Sequence, residues 1–324
     1  MSHNAINSTV SFDFDLALPH NAFSIIGCIW MTLTVILILT FTPISLVVIY
    51  QVPSIQQTTK LFMTSLTVAD LGNGLFWALP KLTENIAGSW VLGDGMCKMY
   101  GVGYRTFVSL SVFSLVLLNI DRYIAIVYSL QYFRIVTVKR TKIVIAVTWV
   151  VSFTSGVSAF GFVIYRVVSA TPPHLCVWKE DGLHQLAVVS ILFTSLVIML
   201  GLYAHILVIA RRQARRIASE TQPLGPRRDN GLRLRLKSAT TVFIITGAVS
   251  LSWIPQIVIG ATDLQTSRET RVFTDTLLMT NSWLNVVIYS FRNRDLRKRL
   301  HGTLWSCRRL CSCQREHAVA DASN

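Results

Sequence analysis

Charge is scarce in this chain. Of its 324 residues only 14% are Asp, Glu, Lys or Arg and 52% are hydrophobic, where a soluble protein carries about a quarter charged residues. The scarcity is concentrated. Segments 21–59, 143–165, 185–210 and 238–262 contain no Asp, Glu, Lys or Arg, and three more hold one each: Asp70 in 61–80, Arg105 in 99–120 and Asp275 in 272–291. Each is long enough to cross about 30 Å of hydrocarbon as a helix. None alternates apolar and polar residues, which excludes barrel strands, and only barrels and helices cross lipid. The chain lacks internal repeats and low-complexity tracts. Residues 1–20 are polar, carry Asp13 and Asp15 and have no basic leader, so no cleavable signal peptide is expected. The spans lack paired acids or a histidine cluster, the groups an intramembrane enzyme would need. The expected fold class is an all-α membrane protein, a seven-transmembrane helix bundle that is not an enzyme.

The spans are expected near 23–50, 60–83, 97–125, 143–165, 185–210, 238–262 and 271–291. Their loops form two alternating sets. Loops 1–20, 84–96, 166–184 and 263–271 hold 4 Lys and Arg, whereas loops 51–60, 126–142, 211–237 and 292–324 hold 22. Basic loops stay in the cytosol, which places the N-terminus outside and the C-terminus inside. The net charge of +14 then serves as topological address and as attraction to anionic membrane lipid. Nucleic acid is not an expected partner, because the charge lies in short loops between spans.

The outer tail, 1–22, contains the sequon Asn7-Ser8-Thr9, a glycosylation site. Cys97 and Cys176 are the two cysteines on the oxidising side, and a bridge between them would pin the second outer loop across the bundle mouth. Cys28 falls inside span 1, as a small apolar residue. After the bundle, 23–291, Phe291, Leu296, Leu300 and Leu304 recur at helical spacing against a basic face. Residues 292–306 are therefore expected to form an amphipathic helix on the inner leaflet. Cys307, Cys311 and Cys313 follow in the tail 307–324, either as palmitoylation sites anchoring that helix or as free thiols.

Charges left inside the spans are the costly ones. Asp121 and Arg122 stand side by side at the basic end of span 3. Asp70 lies near the middle of span 2, as an acid that hydrogen-bonds between helices or as an ion site. Arg105 and Asp275 lie in the outer half, where Asp275 either receives a ligand amine or pairs with Arg105. His205, near the basic end of span 5, reads as a packed or snorkelling imidazole. Pro43, Pro80 and Pro255 should bend spans 1, 2 and 6.

Three sequence signatures fall in order on these spans. Asp121-Arg122-Tyr123 ends span 3, Trp253-Ile254-Pro255 lies in span 6, and Asn285 precedes Tyr289 by four residues at the end of span 7. With seven spans and an outside N-terminus, the set resembles the rhodopsin-like (class A) G protein-coupled receptors over about residues 23–304. Cys97 stands 25 residues before Arg122, the family spacing. The resemblance implies that Asp121-Arg122-Tyr123, Tyr203 and Tyr289 form the G-protein switch, with the acid holding the arginine at rest. It implies that Asp70, Ser111, Asn281 and Asn285 form the polar cluster that binds Na⁺, and that Trp253 is the aromatic toggle below the ligand. Tyr104, Arg105, Val108, Gln256, Asp275 and Met279 are the remaining pocket candidates. The implied partners are a heterotrimeric G protein and an extracellular small molecule or short peptide, at the plasma membrane.

The chain departs from the family pattern in several places. Pro43-Ile44 replaces Gly-Asn in span 1, Ser195 a proline in span 5, Val249 a phenylalanine in span 6 and Val286 the proline after Asn285. Val112 joins Ser195 and Val249 at the usual coupling contact. Arg235 stands where an acid often locks Arg122, so raised basal activity is expected. Tyr104 occupies the position of the aminergic aspartate, and Met279 that of the opsin lysine, so no retinal is expected. Competing classes are a transporter or ion pathway, which would need more intramembrane charges and repeated halves, and a seven-span protein without G-protein signalling.

Overall fold

The computed structural model describes residues 22–53, 55–167, 176, 182–219, 247, 251–262 and 267–292, with helices and no strand among them. Asn7, Arg235, Val249, Cys307, Cys311, Cys313 and the amphipathic stretch after Arg292 lie outside the described residues. Span 1 is the helix Ala22–Gln51, span 3 Gly93–Val127, span 4 Val138–Val167, span 5 Gly182–Ser219 and span 7 Arg268–Arg292. Span 2 runs as Gln57–Asn73, a π turn Gly74–Ala78 and Leu79–Ala87. Span 6 is described from a 3₁₀ turn, Leu251–Trp253, into the helix Ile254–Thr262.

By length and composition, four helices among the described residues suffice alone to cross a membrane: Ile25–Gln51, Gly93–Val127, Val138–Ser158 and Gln185–Ile209. Span 2 is divided by its π turn. Span 7 carries Arg268, Glu269, Arg271 and Asp275. Both need the bundle around them.

Proline explains the irregular turns. Pro80 has no N–H to donate, and its ring would meet the carbonyl four residues back, at Phe76. The chain widens to a π turn there and continues. Pro255 stands in the same relation to Leu251, where the 3₁₀ turn begins. Span 1 stays helical through Pro43, and span 7 through Asn285-Val286.

Span 3 packs against spans 2, 4 and 5. Span 1 packs on spans 2 and 7, span 5 on span 6, and span 7 on spans 1, 2 and 6. Span 3 is the centre, and it buries Gly101, Thr106, Ser109, Ser114 and Asn119 alongside Leu110, Leu115 and Leu118. A central helix has no lipid face, so small and hydroxyl residues replace an apolar stripe. Spans 1 and 4 face outward with Ile29, Leu33 and Val47, and with Val147, Val150 and Phe153. Trp149 donates to Ser65 (3.1 Å), which lies 3.2 Å from the Ser114 hydroxyl, tying spans 2, 3 and 4. Close helix approach depends on glycine: a Cβ at Gly156 would lie 2.0 Å from Thr106 Oγ1 and 2.9 Å from the Val102 carbonyl oxygen.

Candidate functional site: a restrained arginine, a buried acid and a cleft

At the basic end, the start of span 2 and the loop after span 3 converge on Asp121. The four-residue helix Tyr132–Ile135 turns Tyr132 back under span 3. Asp121 is 2% exposed, and a carboxylate this deep persists only with donors around it. It has three. Arg122 Nε donates to Oδ2 (2.9 Å), Thr59 Oγ1 to Oδ2 (3.1 Å) and Tyr132 OH to Oδ1 (2.7 Å). Arg122 Nη2 also reaches Asp121 Oδ2 and the Thr59 hydroxyl. Since Tyr132 gives its proton to Asp121, Thr58, 2.9 Å away, donates to Tyr132. Burial first, and then Asp121 itself, push the Tyr132 phenol above its ordinary value against the Thr58 hydrogen bond, so the phenol stays a donor.

The other residues expected at the switch lie around this end. Tyr123 hydrogen-bonds His205 Nδ1 of span 5 at 2.7 Å. Tyr203 is buried against span 6, where a Cβ at Gly247 would lie 2.8 Å from its ring. Tyr289 lies near the end of the span 7 helix.

In mid-bundle, Asp70 is 1% exposed. Ser111 donates to Oδ1 (2.7 Å) and Asn285 Nδ2 to Oδ2 (3.0 Å), joining spans 2, 3 and 7. Ser282 also acts on this carboxylate as a hydrogen-bond donor. Asn281 is turned elsewhere: its Nδ2 donates to Ser252 (2.9 Å), beside buried Trp253. The carbonyl oxygens of Asn281 and Asn285 are buried without a hydrogen-bond partner. Asp70, Ser111 and the free Asn285 oxygen form an all-oxygen donor set with one negative charge, which fits Na⁺.

Toward the opposite end, Cys97 and Cys176 form a disulfide. Below it a narrow crevice of about 20 Å³, room for about one water, lies between spans 3, 4 and 5, lined by Tyr104, Arg105 and Val108 together with Ser155, Val188 and Leu192. The other pocket candidates do not line it. Trp253 and Met279 are buried, and Gln256 and Asp275 are partly buried on spans 6 and 7. Asp275 lies within electrostatic reach of Lys81 and Tyr100, and Lys81 bonds Glu84 at 3.0 Å.

The profile of the 7 transmembrane receptor (rhodopsin family) matches residues 43–289. The chain belongs to that family. Its relatives include the adenosine receptor A2a of Canis lupus familiaris, 28% identical over 272 residues, covering 76% of this chain. The chain spans 64% of the length of that relative. The G-protein coupled receptor 3 of Rattus norvegicus is 28% identical over 268 residues (82% of this chain, 76% of the relative). The high-affinity lysophosphatidic acid receptor of Xenopus laevis is 27% identical over 279 residues (78% and 74%).

The chain's own geometry adds Thr59, Tyr132, Ser282 and Lys81 to the residues that its sequence singles out, and it gives His205, read as packed or snorkelling, a partner in Tyr123. Thr59 and Tyr132 are ordinary residues until a four-residue helix folds one onto the other's neighbour. Lys81 was legible as the charge closing span 2, one residue after Pro80.

Proposed function

We propose that the chain is a ligand-activated receptor of the plasma membrane that catalyses nucleotide exchange on a heterotrimeric G protein and is not itself an enzyme. The N-terminus lies outside, the C-terminus inside. An extracellular small molecule or short peptide binds toward the disulfide end. Arg122 then leaves Asp121 and engages the G protein, with Tyr123, Tyr203 and Tyr289 lining the opened face. The observation that carries this reading is the enclosure of Asp121 by Arg122, Thr59 and Tyr132. Such an arrangement has two states: held by donors from span 2 and the loop, or released when those elements part. Leu130, 99% exposed in the same loop, offers the partner an apolar side chain beside the switch.

Asp70, Ser111 and Asn285 would hold Na⁺, with Asn281 of span 7 turned behind them to Ser252 of span 6. The ion supplies a positive charge that neutralises Asp70. With Na⁺ or a proton absent, Asp70 depends on Ser111, Asn285 and Ser282 for compensation. A screen of candidate ligands, read by G-protein dissociation in cells, tests the whole reading. Ligand-dependent dissociation with the wild-type chain and none with Arg122→Ala supports it. Equal dissociation in both would remove Arg122 from the mechanism.

A further inference from the structure

The outward face of span 4 ends at its basic edge in a cluster of cations. Residues 126–142 hold Arg134, Lys139, Arg140 and Lys142 and no Asp or Glu. Lys139 and Lys142 are exposed and take part in neither ion pair found among the described residues. They stand three residues apart on the helix Val138–Val167, so they share one of its faces. Ile143, Val147, Val150 and Phe153 continue that face at steps of three and four, and all are exposed. From Ile143 to Phe153 the stripe rises about 15 Å at roughly 1.5 Å per residue, half of a roughly 30 Å hydrocarbon core. Two cations below one leaflet's depth of apolar surface match the headgroup and the chains of a phospholipid.

Arg140 has a different task at this edge. Its Nη1 donates to the carbonyls of Arg134 (3.2 Å) and Ile135 (3.1 Å). The end of the short helix Tyr132–Ile135 is thereby tied to the first turn of span 4. That helix brings Phe133, 74% exposed, and the exposed Arg134 to the same edge. Apolar rings beside Lys and Arg are what surface helices place at the headgroup boundary. The same four residues include Tyr132, which donates to Asp121.

We propose that the basic end of span 4 is a site for one anionic phospholipid. Lys139 and Lys142, with Arg134 of the adjoining helix, hold its phosphate headgroup, and Ile143, Val147 and Val150 carry its acyl chains. Each cation adds attraction to an anionic headgroup, and a guanidinium meets phosphate with two N–H groups at once. The bound lipid steadies the short helix, and Tyr132 with it. That the lipid comes from the inner leaflet rests on the orientation proposed above; the match of charge and apolar length does not.

The test titrates the full-length chain in detergent micelles with phosphatidylinositol phosphate or phosphatidylcholine and reads the first bound lipid by native mass spectrometry. The anionic lipid should bind roughly 10- to 30-fold more tightly. Lys139→Gln/Lys142→Gln should remove most of that preference, and Lys139→Arg/Lys142→Arg should keep it. Arg211→Gln/Arg212→Gln, which removes the same charge from span 5, should leave it unchanged. In phosphatidylcholine nanodiscs, added phosphatidylinositol phosphate should slow hydrogen exchange of the amides of residues 131–136 in the wild type and not in Lys139→Gln/Lys142→Gln. Equal affinity for the two lipids, or equal losses in the two Gln pairs, would overturn the proposal. So would soluble inositol phosphate that competes at the lipid's own concentration, since the apolar stripe would then hold nothing. Loss of G-protein binding in Lys139→Gln/Lys142→Gln with lipid binding intact would assign the patch to a protein partner instead. Unchanged exchange at residues 131–136 would refute the steadying of Tyr132. Micelles expose both ends of the bundle, so lipid binding is read whichever way the chain is oriented and whether or not it activates a G protein.

Discussion

Asp121 is restrained from three directions, and each restraint belongs to a different part of the chain: Arg122 beside it, Thr59 on span 2 and Tyr132 in the loop. Removing one donor leaves the carboxylate buried but less compensated. A hydrogen bond to a charged group is worth about 1.5–3 kcal/mol, a factor of ten or more in the equilibrium between held and released states. Tyr132→Phe should therefore raise basal nucleotide exchange. Thr58→Ala, which acts through Tyr132, should raise it less. Equal exchange by Tyr132→Phe and wild type would show that Tyr132 does not restrain the switch. At Asp70, NaCl should raise Tm above that in choline chloride for the wild type and not for Asp70→Asn. An equal rise in both would remove Asp70 from the ion site. Asp70, Asp121 and Arg122 were legible in the sequence because a charge inside an apolar run is costly wherever the run folds. Thr59 and Tyr132 were not, since nothing about a threonine or a loop tyrosine is unusual until a carboxylate is brought to it. Asn281 shows the converse. Its position in the pattern suggested Asp70, and its side chain bonds Ser252 instead.

At the scale of elements, the seven apolar runs were plain and the local geometry of spans 2 and 6 was not. Pro80 and Pro255 announce a disturbance, but whether the helix widens, tightens or bends depends on the helices around it. Span 2 widens to a π turn while span 6 tightens to a 3₁₀ turn. The contacts between spans 3 and 4 were equally hidden, because a glycine in an apolar run looks like any other small residue. Gly156→Ala places a methyl against both Thr106 Oγ1 and the Val102 carbonyl. The side chain can rotate and the carbonyl cannot, so the helices must part. The variant should unfold at lower temperature than the wild type, and Thr106→Ala should restore only part of the loss. Unchanged Tm in Gly156→Ala would mean that spans 3 and 4 are less tightly apposed than described.

For the whole molecule, the division of 4 against 22 basic residues between the two loop sets is the basis for the proposed orientation, and that orientation would decide which end can meet a G protein. Asn7→Gln should abolish a glycosidase-sensitive increment in mass. Persistence of that increment would move the modification elsewhere. The bundle then places buried Asp70 between the disulfide end and a restrained arginine at the basic end. The release of Arg122 is the step on which the proposed function depends. Its most direct measurement is the nucleotide-exchange rate of a heterotrimeric G protein with the purified receptor in nanodiscs, comparing wild type, Asp121→Asn and the double variant Asp121→Asn/Arg122→Ala. Release of Arg122 predicts faster exchange for Asp121→Asn than for wild type, and a fall to the rate of empty discs for the double variant. Equal exchange by Asp121→Asn and the double variant would contradict it.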